Sequence, residues 1–257
     1  MHRRRIGVLG AAAAVALLLA GCGPVTDVAA PRSHVSPRHR TSQAQAAPAA
    51  DPGPLTPVRT VVATTDGAVS GYPSPGRPSN MTVPGTWFGY PSVLPVIASE
   101  AGWFEVRLAQ RPNGSTTWVQ ASDVSLSTTP YAIVIDLSTE HLTVYENGAQ
   151  IDDFPAGIGT SDDPTPTGHY FMTMKVPPPN PSYGDFVLAT SDHSDSITDW
   201  ESSGDAIIGI HGPITSDDDS LIGTTGAAIS HGCVRLHDAD LALLTNIPPG
   251  TPINVVS

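Results

Sequence analysis

"AISHGCVRLHD", from Ala228 to Asp238, sets one cysteine, Cys233, between two histidines, His231 and His237, with Arg235 two residues behind it. The chain has two cysteines in all, Cys22 and Cys233. Whether Cys233 has a partner decides how this stretch is read, and that question is settled at the other end of the chain.

The first residues, "MHRRRIGVLGAAAAVALLLAGC", carry Arg3, Arg4 and Arg5 ahead of an apolar run from Ile6 to Leu19. This is the layout of a secretory signal, too short and too poorly flanked for a membrane span. Leu19-Ala20-Gly21-Cys22 resembles the bacterial lipobox. The resemblance implies cleavage before Cys22 and lipid attachment to its sulfur, and several acyl chains on one residue suffice for stable anchoring. The alternative is ordinary secretion with Cys22 discarded. On either path Cys233 is the one free thiol of the mature chain, in a compartment where unpaired thiols are oxidised or cross-linked. A buried cysteine acting as a small hydrophobe is the bland reading, and the polar neighbours of Cys233 argue against it.

Composition narrows the function. The formal charge of the 257-residue chain is −12, and loss of Arg3, Arg4 and Arg5 with the leader takes it to −15. From Pro130 onward 18 acidic residues face two basic ones, Lys175 and Arg235. Such a surface repels nucleic-acid phosphates, so that partner is excluded. Arg235, the sole arginine of the C-terminal half, stands beside the lone thiol.

The chain divides by texture. Residues 1–21 are the signal peptide. Residues 22–57 are Pro-, Ala- and Ser-rich with almost no large apolar side chains, a composition that reads as a disordered tether reaching roughly 100 Å if extended. Residues 58–127 alternate short apolar runs with Gly, Pro, Asn and Ser. Strands are predicted around Trp103–Leu108 and Trp118–Val124, with Asn113-Gly114 as the turn between them. The pattern looks like a bacterial SH3-like β-barrel, suited to wall binding or to packing against the next domain. Residues 130–257 open with alternation at Tyr131, Ile133 and Ile135, then Leu142 and Val144, and Asn147-Gly148 predicts a hairpin turn. "DAIIGIHG" reads as a buried strand ending at His211. "DADLALLTN" reads as a short helix with Asp238 as N-cap candidate, stopped by Pro248 and Pro249. The fold class expected is mostly β, with one or two short helices.

A free cysteine with a pKa near 8.5 is only about 3% thiolate at neutral pH. As a nucleophile it needs a base, and the base needs a third group to orient it. His211, His231, His237 and Arg235 are the candidates. Gly212 and Gly232 allow close backbone approach, and amides beside Cys233 suit an oxyanion hole. The run Asp217–Asp219 reads as a solvated loop, without the ligand spacing of a calcium site. The one-residue gap between His231 and Cys233 fits zinc chelation poorly.

"IHG" at 210–212 and "SHGCVRL" at 230–236 together resemble the signature of the L,D-transpeptidase catalytic domain, the YkuD-like family. "TPTGHY" at 165–170 is similar to that family's turn before a strand, and "GTPINVV" at 250–256 to its last strand. The resemblance covers about Tyr131 to the C-terminus and implies a β-rich fold with a deep cysteine site acting on peptidoglycan stem peptides. By it, Cys233 is the nucleophile, and His211 is the proton shuttle held by the Gly212 carbonyl. His231 and Arg235 shape the site and hold a substrate carboxylate or the oxyanion, and Ser230 hydrogen-bonds within the loop. The segment between the two histidines, "GPITSDDDSLIGTTGAAI", departs from the commoner pattern and leaves the lid over the site open.

The function expected is a lipid-anchored peptidoglycan L,D-transpeptidase on the outer face of the membrane. It forms 3→3 cross-links between donor and acceptor stems through a Cys233 thioester. No metal or organic cofactor is required, and carbapenem-type β-lactams are the expected inhibitors. Two rivals remain: an L,D-carboxypeptidase in which water resolves the thioester, and a non-catalytic wall-binding lipoprotein. An activated Cys233 is expected to react with thiol probes faster than an ordinary thiol at neutral pH.

Overall fold

Asn147 and Gly148 both adopt positive φ, 51° and 79°, as a two-residue hairpin turn requires. The computed structural model in which they do so describes residues 55–257. The leader, Cys22 and all but the last residues of the predicted tether lie outside the described residues.

Five strands form the first sheet: β1 (Thr60–Thr65), β2 (Val93–Glu100), β3 (Trp103–Arg107), β4 (Thr116–Gln120) and β5 (Val124–Thr129). They lie in the order β4-β3-β2-β1-β5, all antiparallel. The predicted strand ending at Val124 is two strands, because Ala121–Asp123 forms a 3-10 turn between β4 and β5. Asn113-Gly114 does lie in the turn between β3 and β4. The Asn113 side-chain amide, however, donates to Asp192 Oδ1 (3.0 Å) and to the His193 carbonyl (2.8 Å), so this turn also fastens the first sheet to the second.

The second sheet has eight strands: β6 (Tyr131–Asp136), β7 (His141–Glu146), β8 (Ala149–Pro155), β9 (Gly168–Val176), β10 (Val187–His193), β11 (Ile207–His211), β12 (Val234–Arg235) and β13 (Pro252–Val256). Their order is β8-β7-β6-β13-β9-β10-β11-β12. The pairs β6–β13 and β11–β12 are parallel. Ile133, Ile135, Leu142, Leu188, Ile210, Leu236 and Ile253 are fully buried in one cluster, and each such side chain contributes about 1.5–3 kcal/mol of burial free energy. The period-2 apolar pattern of β6 and β7 thus fixes which face of the sheet turns inward.

The sheets share a seam. Phe171 of β9 is buried in the core of the first sheet with Val106, Leu94 and Val119. Arg111 donates to Asp205 Oδ1 (2.9 Å), to the Ser194 carbonyl (2.7 Å) and to the Ile197 carbonyl (2.9 Å). Of the two roles considered for the first sheet, packing against the second is what these contacts provide.

Two short α-helices flank the edge strands. α1 (Ser216–Leu221) is built from the acidic run whose composition suggests a loop. Thr215 and Asp218 form a reciprocal capping box at its start, and acidic side chains in a first turn favour the helix. α2 (Asp238–Leu243) is the helix predicted, but His237, not Asp238, occupies the N-cap position, with no side-chain capping bond.

Candidate active site

Cys233 precedes β12, the edge strand lying parallel to β11, and this pairing sets His211 opposite Arg235. The turn that delivers the thiol is tied from several sides. Ser230 Oγ donates to the Cys233 carbonyl (2.6 Å) and accepts from the Gly232 amide (3.1 Å). Thr165 Oγ1 donates to the Gly232 carbonyl (2.7 Å) while accepting from the Gly159 amide. Gly232 has φ of 114°, and a Cβ there would lie 2.7 Å from Ile208 Cδ1, so no other residue fits the turn without rearrangement. Its N–H is committed to Ser230. The Gly209 amide points at Cys233 Sγ, 3.4 Å away.

His211 is buried at the end of β11. Its Nδ1 lies 2.6 Å from the Gly212 carbonyl oxygen. A carbonyl only accepts, so Nδ1 carries the hydrogen and Nε2 keeps a lone pair. The Gly212 amide donates to the Tyr183 carbonyl (2.8 Å), and the Tyr183 ring lies 4.6 Å from the imidazole. A Cβ on Gly212 would collide with Asp238 Oδ1. Gly212 therefore serves as an orienting carbonyl in a space too narrow for a side chain.

The electrostatics describe a neutral resting pair. Burial holds His211 down to about 4; the Gly212 carbonyl opposes this, and the Arg235 charge adds to it. Burial likewise pushes the Cys233 thiol up, against the Gly209 amide and Arg235, which favour the thiolate. Near neutral pH the cleft thus holds a thiol and an unprotonated imidazole, rather than a preformed thiolate–imidazolium pair. Fast reaction with simple thiol probes at neutral pH does not follow from this arrangement.

Arg235 is itself buried, with Nη1 2.9 Å from Asp218 Oδ2 and Nε without a partner. His237 Nδ1 pairs with Asp219 Oδ1 at 2.7 Å. The acidic run is thus no solvated loop. It holds α1 against the strand that follows the thiol. The Gly226 and Ala227 amides donate to Glu140 Oε2 (3.2 and 3.0 Å), fastening the far end of the same segment.

His231 is exposed, with its ring 5.2 Å from Trp200. It belongs to the rim of the cleft, whereas His211 belongs to the floor. A single cleft of about 1380 Å³, counting space open to solvent, is lined by Cys233, His211, His231, Arg235, Tyr183 and Trp200. The structure therefore brings together Cys233, His211, Gly212, Ser230, His231, Gly232 and Arg235, and leaves His237 outside the cleft. Tyr183, Trp200, Asp218 and the Gly209 amide carry no mark in the sequence that assigns them to this site. None lies at a signature spacing from Cys233, and only the folded sheet brings them near it.

A mostly β protein whose open cleft holds a half-buried cysteine and a buried histidine is the class these features define. Residues 130–255 match the family described as the L,D-transpeptidase catalytic domain, YkuD, and this part of the chain is an L,D-transpeptidase-like catalytic domain. A relative from Bacillus licheniformis, provisionally named L,D-transpeptidase YkuD, is 29% identical over 129 residues, covering 50% of this chain and 67% of its own length. Among solved structures, an L,D-transpeptidase from Mycobacterium smegmatis is 17% identical, covering 64% of this chain and 90% of that one, with a TM-score of 0.40. An LD transpeptidase solved in complex with imipenem is 17% identical, covering 74% and 99%, with a TM-score of 0.40.

Proposed function

We propose that the protein is a peptidoglycan L,D-transpeptidase that forms 3→3 cross-links through a Cys233 thioester. The observation that carries this reading is the His211 Nδ1–Gly212 carbonyl bond at 2.6 Å, which leaves Nε2 unprotonated in the cleft that holds the thiol. His211 takes the thiol proton as Sγ attacks the carbonyl carbon of the third stem residue. It then gives that proton to the departing amine of the terminal D-alanine, and a thioester remains. The side-chain amine of a second stem attacks the thioester and loses its proton to His211. The amide forms, and the thiolate leaves and is reprotonated. Each transfer uses one imidazole, as general acid–base catalysis requires. Arg235 holds negative charge near the reacting carbonyl, and Asp218 holds Arg235.

The N-terminal features complete the reading. Cleavage before Cys22 and lipidation of its sulfur hold the protein on the outer face of the membrane. The Pro/Ala-rich segment to residue 57 carries the SH3-like module of residues 58–127 and the catalytic domain of residues 130–257 out to the wall. Carbapenems acylate the same thiol, because their strained amide presents a carbonyl to Sγ.

The test is product analysis with purified stem tetrapeptide, with and without a second amine-bearing stem. A cross-linked dimer with release of D-alanine is expected. Release of D-alanine without dimer at any acceptor concentration contradicts transpeptidation in favour of hydrolysis, and no release contradicts catalysis on stems. For the anchor, Cys22→Ser is expected to move the protein out of the membrane fraction with activity intact. Retention after salt and carbonate washing contradicts it.

A further inference from the structure

The cleft around Cys233 has one wall residue from outside the catalytic domain. Phe88 lines it, although the family match begins at residue 130. Phe88 stands at the tip of a hairpin whose two short strands are Thr86–Trp87 and Tyr90–Pro91, with Trp87 paired to Tyr90. The base of this hairpin is firmly set. A Cβ on Gly85 would overlap the backbone of Gly67. The Ser92 amide donates to the Gly85 carbonyl (3.0 Å), and Ser92 Oγ to the Pro84 carbonyl (2.6 Å). Trp87 lines a crevice with Val83, Leu94, Leu108 and Phe171.

The tip is built against local preference. Phe88 and Gly89 have φ of 47° and 84°, the turn that Asn-Gly makes without strain. A bulky aromatic at positive φ is an outlier, and such outliers collect where a side chain is being presented. Burial does not compensate here: the Phe88 ring is 70% exposed and meets the Trp87 ring edge-on at 5.6 Å. Trp200, 39% exposed, lines the same cleft. Asn180, Glu201 and Ser203 supply hydrogen-bonding groups there.

We propose that Phe88 and Trp200 form an aromatic subsite for a hexosamine ring of the glycan to which the stem peptide is attached. The inference rests on the peptidoglycan reading above. A stem peptide consists of small and charged residues, with no large apolar face to set against an exposed phenyl ring. A pyranose has such a face, its axial C–H groups, and hydroxyl and N-acyl groups around its edge for Asn180, Glu201 and Ser203. An aromatic ring offers the matching flat, electron-rich surface. Phe88 is a specificity residue in this account and takes no part in the chemical step.

Binding of two ligands to the full-length Cys233→Ser protein, read as Kd by calorimetry, tests this without turnover. The ligands are a free stem tetrapeptide and the same tetrapeptide on its disaccharide. Phe88→Ala is expected to weaken the disaccharide-tetrapeptide about three- to tenfold, the range for one aromatic contact, and to leave the free tetrapeptide unchanged. Phe88→Trp is expected to restore the wild-type value. Equal weakening of both ligands, or no change in either, overturns the glycan subsite. If the disaccharide ligand depends on Phe88 while protein with Cys233 intact releases no D-alanine, the catalytic reading falls and the subsite stands.

Discussion

Cys233 lies between two walls held in different ways. On one side β11 and β12 fix His211 and Arg235 through main-chain pairing, with the imidazole locked to the Gly212 carbonyl. On the other, the segment from Pro213 to Ala227, which lines the cleft through Ile214, is tied by Asp218 on Arg235, Asp219 on His237 and two amides on Glu140, with Ile222 and Ala227 buried. A strand-held wall suits a base whose position must not vary. A wall held by ion pairs exchanges its bonds at small cost, because a substrate carboxylate can replace an internal one on the same guanidinium. The difference separates a wall of fixed geometry from one whose contacts can exchange.

The strand-held wall is expected to give the largest effects. Cys233→Ala should abolish acylation by carbapenem at every pH, with wild-type protein gaining a single adduct on the peptide containing Cys233. An adduct mapped elsewhere by mass spectrometry breaks the assignment of the nucleophile. His211→Ala should slow acylation by about 10²–10⁴-fold, the usual contribution of a general base, with the fold retained by circular dichroism.

The charge-held wall should respond less, and differently. Asp218→Asn leaves the buried guanidinium of Arg235 without its carboxylate, a loss of about 1–3 kcal/mol. The unfolding midpoint should fall by several degrees, and KM for the stem substrate should change more than kcat. A variant as stable as wild type would show that Asp218 is a surface charge after all. His231→Ala should have the smallest effect, under about tenfold and the same at all pH values, since this histidine sits on Trp200 at the rim. A pH-dependent rescue of His231→Ala would move the base from the floor of the cleft to its rim.

The same division governs what is legible in the chain. The alternation in β6 and β7, the Asn147-Gly148 turn and the short apolar run ending at His211 are local signals, and each forms as its residues predict. So does the close approach of Gly212 and Gly232, because a narrow space selects glycine at a single position. The segment after His211 is harder to read, because Asp217–Asp219 has the composition of a solvated loop. What makes it a helix is the Thr215–Asp218 capping box, and what places it is an arginine seventeen residues further on. The turn at Asn113-Gly114 announces only the joining of β3 and β4, whereas its side chain also reaches β10. Partnerships of this kind depend on which faces the two sheets turn to each other, and no spacing encodes that. Phe88 is the extreme case: its place in the cleft follows from a seam between two sheets.

The pH dependence of acylation in wild-type and His211→Ala protein tests the central claim most directly. With His211 held down to about 4 and the thiol pushed up, the wild-type site has its base free and its thiol protonated throughout pH 6 to 8. The rate should therefore be nearly flat across that range and fall only as the imidazole protonates toward pH 4. Stability must be followed in parallel, because a histidine kept neutral in the fold takes up its proton on unfolding. Its stabilising contribution is complete above the unfolded value near 6.5 and declines as pH falls from there toward about 4. In His211→Ala the thiolate can come only from solvent, so the rate should climb about tenfold per pH unit from 6 to 8. A flat profile in the variant, or one parallel to wild type, would contradict His211 as the base for Cys233.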